Sequence, residues 1–157
     1  NLMEKVLISS CFLGNKVRYD GGDNLLVNTT LLRWQAENRL VVICPELAGG
    51  LSTPRPPAEL KMVGDSIQVK TITGDDVTDE FKKGANKALL LCQKYNIQYA
   101  LMKESSPSCG STSIYNGQFS QQKIAGQGIT SALLRSNGVK VFSEKNLALL
   151  ISEIGAN

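Results

Sequence analysis

Short runs rich in strand-forming residues recur along the chain at 5–10 (Lys-Val-Leu-Ile-Ser-Ser), 40–43 (Leu-Val-Val-Ile), 97–102 (Ile-Gln-Tyr-Ala-Leu-Met) and 139–142 (Val-Lys-Val-Phe). Such runs predict strands of one buried sheet. Between them the apolar positions follow a helical period: Leu25 to Glu37, Asp76 to Lys94 with Phe81, Ala85, Ala88 and Leu89 on one face, Ile129 to Ser136, and Glu144 to Ile154. Alternation of strand and helix predicts a three-layer α/β fold with a mainly parallel sheet of four to five strands, of the flavodoxin or Rossmann kind. Asn96 and Gly138 each follow a helix and precede a strand, the place of a left-handed cap.

The stretch from Leu51 to Gly74 breaks this alternation. Thr53-Pro54-Arg55-Pro56-Pro57 cannot lie inside a helix, and Ile67 to Ile72 alternates as an exposed strand does. A proline-stiffened loop followed by a small β-hairpin around residues 58–73 is expected. No repeat, low-complexity tract or linker divides the sequence, so residues 1–157 read as a single α/β domain. Asn1 and Leu2 ahead of Met3 read as an addition to a chain that starts at Met3.

Composition narrows the partners. The formal net charge is +3 and the basic residues are dispersed, without the runs that track phosphates, so no nucleic acid polymer is expected. No apolar stretch reaches the roughly 20 residues of a membrane span, and the N-terminus lacks signal-peptide regions. A cytoplasmic location is the expectation, with no membrane contact. In a reducing compartment the four cysteines are then not a disulfide framework. The absence of histidine removes Ser-His-Asp and Cys-His nucleophiles and every histidine-containing zinc site.

Three of the cysteines are placed alike: Cys11 follows the first strand, Cys44 ends the second, and Cys109 lies in a Ser/Pro/Gly loop after the third. The carboxyl ends of parallel strands line the ligand crevice, so these three are expected to meet there. Cys92 falls on the apolar face of the long helix and reads as core. No C-x-x-C pair is present, which argues against a zinc ribbon or a thioredoxin-like motif. Three thiolates favour an iron–sulfur cluster or copper(I). A cluster held by three cysteines keeps one iron open as a Lewis acid. Packing is the competing explanation for any one of them.

The motifs around these cysteines are Cys11-Phe-Leu-Gly14 with Val17-Arg18-Tyr19-Asp20-Gly21, Cys44-Pro45-Glu46 with Gly49-Gly50-Leu51 and Pro54-Arg55-Pro56-Pro57, Gly74-Asp75-Asp76-Val77-Thr78, and Lys103-Glu104-Ser105-Ser106-Pro107-Ser108-Cys109-Gly110. In these the chain resembles the thiouracil desulfidase family, formerly grouped only as a domain of unknown function. The resemblance runs from the first strand to Ser143-Glu144. It implies a four-iron, four-sulfur cluster, [4Fe-4S], on Cys11, Cys44 and Cys109, whose open iron takes the sulfur of a small thiocarbonyl substrate. It further implies assisting roles for Glu46 and Ser105.

Glu46 is suited to carrying a proton between water, ring nitrogen and leaving sulfur. Ser105 is suited to orienting water or acting on the carbon, with a turn cap as the alternative and Ser106 or Ser108 as exchangeable candidates. Gly126-Gln127-Gly128 ahead of a helix reads as an anion cradle or a tight turn. Arg18 and Arg55 read as anion holders or as salt-bridged residues. Two other functions fit the same residues: a non-catalytic sulfur or iron–sulfur carrier, and a flavodoxin-like small-molecule-binding module with incidental cysteines.

Overall fold

The computed structural model describes residues 3–155; Asn1 and Leu2, read above as an addition, lie outside them. In chain order the elements are β1 (Val6–Ser9), α1 (Thr29–Ala36), β2 (Leu40–Ile43), α2 (Pro45–Ala48), β3 (Ala58–Val63), β4 (Ser66–Thr71), α3 (Thr78–Lys94), β5 (Tyr99–Leu101), β6 (Ser113–Tyr115), β7 (Lys123–Ala125), α4 (Ile129–Ser136), β8 (Lys140–Phe142) and α5 (Leu147–Gly155). Single 3-10 turns occupy Ser10–Leu13 and Glu144–Asn146.

The four buried runs form one parallel sheet in the order β2-β1-β5-β8. Val6 pairs with Leu40 on one side and Tyr99 on the other, and Ala100 pairs with Val141. Side chains alternate across it, so Leu7, Ala100 and Val141 pack with Ala88 and Cys92 of α3 and Leu134 of α4. Val6, Ile8, Leu101 and Phe142 face Leu31 and Trp34 of α1 and Leu150 and Ile154 of α5. Two apolar layers on one sheet are the reason its strands read as continuous hydrophobic runs. The chain runs outward from β1 in both directions, which leaves a crevice at the carboxyl ends beside β1. No helix among the described residues is long and apolar enough to cross a membrane.

Several boundaries differ from the periodic reading. The first helix starts at Thr29 rather than Leu25, because Asn28 accepts the amides of Thr30 and Leu31 at 2.9 and 3.1 Å and caps it there. Residues 25–28 instead lie outside any helix, with the amide of Leu26 donating to the carbonyl of Phe12. The long helix starts at Thr78, since Asp76 accepts both the amide and the hydroxyl of that residue. The last helix opens with the 3-10 turn, fixed by the reciprocal Ser143–Asn146 capping box. Asn96 (φ 53°) and Gly138 (φ 85°) are left-handed as expected.

The hairpin foreseen at 58–73 is β3–β4, and it packs through Leu60 and Val69 on Val77 and Phe81. A second hairpin, β6–β7, was not legible, because strands of three residues carry no usable period. The short helix α2 escaped for the same reason.

Candidate active site

Cys11, Cys44 and Cys109 are brought to the carboxyl ends of three adjacent strands, β1, β2 and β5. Cys11 lies in the turn directly after β1, and its carbonyl accepts the amides of Gly14 and Asn24. Cys44 caps α2, with Pro45 in the first helical position, where a missing N–H costs nothing. Cys109 follows Ser106, whose hydroxyl oxygen accepts the amides of Ser108 and Cys109 at 3.1 and 3.0 Å.

Helix α4 closes behind that loop. The hydroxyl of Ser131 donates to the Cys109 carbonyl at 2.7 Å, and Arg135 donates to the carbonyl of Ser111. Gly128 is required by close packing: a Cβ there would stand 2.4 Å from the Ser108 carbonyl.

All three cysteines, with Glu46 and Ser105, line one cavity of about 600 Å³. Arg18, Tyr19, Arg55, Lys103, Tyr115, Phe119 and Lys123 complete much of its wall. A volume of that order suits a small molecule. Cys92 is elsewhere, buried among Leu7, Ala88 and Ile97. The four thiols are free.

Burial pushes all three cavity thiols up, Cys109 furthest, to about 12. Neighbouring negative charge adds to this: Cys44 acts on Cys11, Glu46 acts on Cys44, and Glu46, Cys11 and Cys44 act on Cys109. A protein cation favours ionisation at Cys11, through Lys103, and at Cys44, through Arg55, but burial outweighs both. Three clustered thiols that resist ionisation alone suit a cationic, thiophilic centre, which reverses that balance. No three His, Cys, Asp or Glu side chains among the described residues close on a single ion.

Glu46 sits in the first turn of α2 and bonds through Oε1 to Nε of Arg55 at 3.1 Å. Burial raises its pKa even against the charge and hydrogen bond of Arg55. Arg55 also donates to the carbonyls of Ser52 and Val17 and to the Thr53 hydroxyl, so it is a bound structural cation. Arg18 bonds Asn24 at 3.2 Å and lies 3.6 Å from Asp20.

The three serines of the Cys109 loop separate by geometry. Ser108 points into the core toward Thr130, at 2.7 Å, and Ser106 is occupied as the cap. Ser105 lines the cavity at φ 66°, a left-handed backbone that costs a serine free energy. Its hydroxyl lies 2.8 Å from that of Ser113, and no bond joins it to Glu46 among the described residues.

Glu104 passed without a role in the sequence, although it anchors this loop. Its Oε1 accepts the amides of Ser105, Ser111, Thr112 and Ser113, and its Oε2 accepts the hydroxyls of Ser111 and Thr112. Burial works against ionisation, yet the Ser111 hydroxyl and the surrounding amides outweigh it and hold the carboxyl at about 2. A carboxylate followed by a Ser/Thr-rich segment was the available signal. The fold-back of 111–113 onto residue 104 is not visible in one dimension.

Known proteins share the sequence and the fold of this chain. The chain is 40% identical over 148 residues to the uncharacterized protein YbbK of Bacillus subtilis, covering 90% of this chain and 97% of the relative. Among solved structures, the [4Fe-4S]-dependent thiouracil desulfidase TudS superposes with a TM-score of 0.92 at 49% identity, over 98% of this chain and 99% of that one. The model of the 2-thiouracil desulfurase family matches residues 6–146, which take in all three cavity cysteines and the whole four-stranded sheet, and the chain belongs to that family.

Proposed function

We propose that this protein is an iron–sulfur-dependent desulfidase that replaces the sulfur of a thiolated uracil, or a related small thiocarbonyl compound, by oxygen from water. The carrying observation is the convergence of Cys11, Cys44 and Cys109 from three neighbouring strand ends onto one cavity that also holds Glu46 and Ser105. The likeness to a [4Fe-4S]-dependent thiouracil desulfidase supports the same reading.

Those three cysteines would hold the [4Fe-4S] cluster. With one iron free of a protein ligand, such a cluster would supply a soft Lewis acid for a thiocarbonyl sulfur. The overall change is redox-neutral: the carbon–sulfur double bond and water give a carbonyl and hydrogen sulfide.

Glu46 moves the protons. Burial lets its carboxyl hold a proton more readily than an ordinary glutamate, and Arg55 fixes Oε1, leaving the second oxygen without a hydrogen-bond partner among the described residues. Ser105 places its hydroxyl in the cavity wall from a rigid, left-handed position, suited to orienting water or the substrate. Tyr19, Tyr115 and Phe119 supply aromatic wall for a planar ring.

Protein purified and reconstituted without oxygen should bind iron and labile sulfide, and release sulfide from thiouracil with only water added. A full cluster without turnover would instead favour an iron–sulfur or sulfur carrier. Absence of iron after anaerobic reconstitution would leave a small-molecule-binding module.

A further inference from the structure

Ser105 and Ser113 come from opposite ends of the Cys109 loop, and three independent contacts bring them together. The amides of both donate to the same Glu104 oxygen, each at 3.2 Å. A parallel backbone bridge joins Ser105 to Ile114, the residue after Ser113. The two hydroxyl oxygens then lie 2.8 Å apart, and this is the only side-chain hydrogen bond of Ser105 among the described residues.

A serine in the left-handed region is held there by its surroundings, not by its own preference. Its hydroxyl would rotate among staggered wells without a fixed partner. Ser113 lies on β6, outside the cysteine motifs, and is half-buried.

We propose that Ser113 is a positioning residue for Ser105: its hydroxyl fixes the rotamer of the Ser105 hydroxyl toward the cavity, and Glu104 assembles the pair. The inference rests on the desulfidase reading and on a role for Ser105 within it. Ser113 itself touches neither substrate nor cluster in this account.

The test compares Ser113→Thr with Ser113→Val. Both side chains are β-branched and suit a strand, and they differ essentially in the hydroxyl, so shape effects are shared. The reconstituted variants are compared for iron content, thermal midpoint, and kcat and KM with thiouracil. Thr is expected to keep wild-type kcat; Val should lower kcat roughly two- to tenfold, the worth of one hydrogen bond expressed in the transition state, with KM and iron content unchanged.

In a Ser105→Ala background the Thr and Val variants should turn over equally, because the residue through which Ser113 acts is gone. Equal kcat for Thr and Val beside intact Ser105 overturns the proposal, as does a Val defect that persists without Ser105. If Ser105→Ala alone keeps wild-type kcat with a full cluster, the catalytic reading of Ser105 fails, and the positioning role fails with it. Absence of sulfide release from wild-type protein is the separate signature that the desulfidase reading is wrong.

Discussion

Replacing Glu104 by alanine removes one carboxylate and strands six donors: four amides and two hydroxyls. The hydroxyls rotate to other partners, and the amide of exposed Thr112 reaches water. Ser105 and Ser111, 7% and 2% exposed, belong to the dry side of the loop. Each of their amides left without an acceptor costs roughly 1–3 kcal/mol. Together with weaker losses at Thr112 and Ser113, Glu104→Ala should destabilise the fold by about 3–5 kcal/mol, the range for removing one partner of a buried charged contact. At this chain length the thermal midpoint should fall by roughly 10 °C.

Glu104→Gln is the calibrating variant. Its amide oxygen can still take the four N–H donors, while its NH2 faces the two hydroxyls, which can turn and accept. The expected loss is only about 1–2 kcal/mol. The sign with pH follows from a folded pKa near 2 against an ordinary value of 4.5. The stabilisation is complete above about pH 4.5 and is lost as pH falls toward 2, and this part of the acid slope should vanish in Glu104→Gln. Urea unfolding of the iron-free protein measures it through Trp34, the only tryptophan and fully buried. An alanine variant within about 1 kcal/mol of wild type, or a glutamine variant as damaged as alanine, would refute the anchor role.

Cys11→Ser, Cys44→Ser and Cys109→Ser should each abolish stable iron binding after anaerobic reconstitution, whereas Cys92→Ala should retain it; a full cluster in Cys44→Ser would remove that residue from the ligand set. Glu46→Gln should keep the cluster and lower kcat by roughly 10²–10⁴-fold, the usual weight of general acid–base catalysis, and an unchanged rate would make Glu46 structural. Gly84→Ala should destabilise by about 1–3 kcal/mol and loosen iron retention, because a Cβ there would sit 1.8 Å from the Pro45 carbonyl next to Cys44. Helix propensity alone predicts a gain of about 1 kcal/mol for the same change, so the sign of the urea midpoint shift separates the two.

Much of this protein was legible in one dimension. Val6–Ser9, Leu40–Ile43, Tyr99–Leu101 and Lys140–Phe142 lie inside the four apolar runs, because a sheet covered on both faces demands apolar residues on both. Their parallel order follows from the helices between them, and the crevice at their carboxyl ends follows from that order. Cysteines placed after three such strands therefore pointed to one site, and Cys92, at a helical period, pointed away from it. Helix starts were misread where a single polar side chain, Asn28 or Asp76, overrode the apolar period by accepting amides at the helix start.

Contacts between segments distant in sequence were decided only by the tertiary structure. Arg55 as the partner of Glu46, Gly84 as the seat of α2, and Ser113 as the partner of Ser105 each depend on where a loop returns. The surroundings of Ser105, Ser106 and Ser108 also waited for the backbone, which sets the first in the cavity wall beside Ser113, the second against the loop amides and the third against Thr130. Local pattern encodes which face of an element is apolar, since burial is periodic along a helix or strand. A hydrogen bond between loops has no period, so it exists only once the sheet has fixed where those loops begin and end.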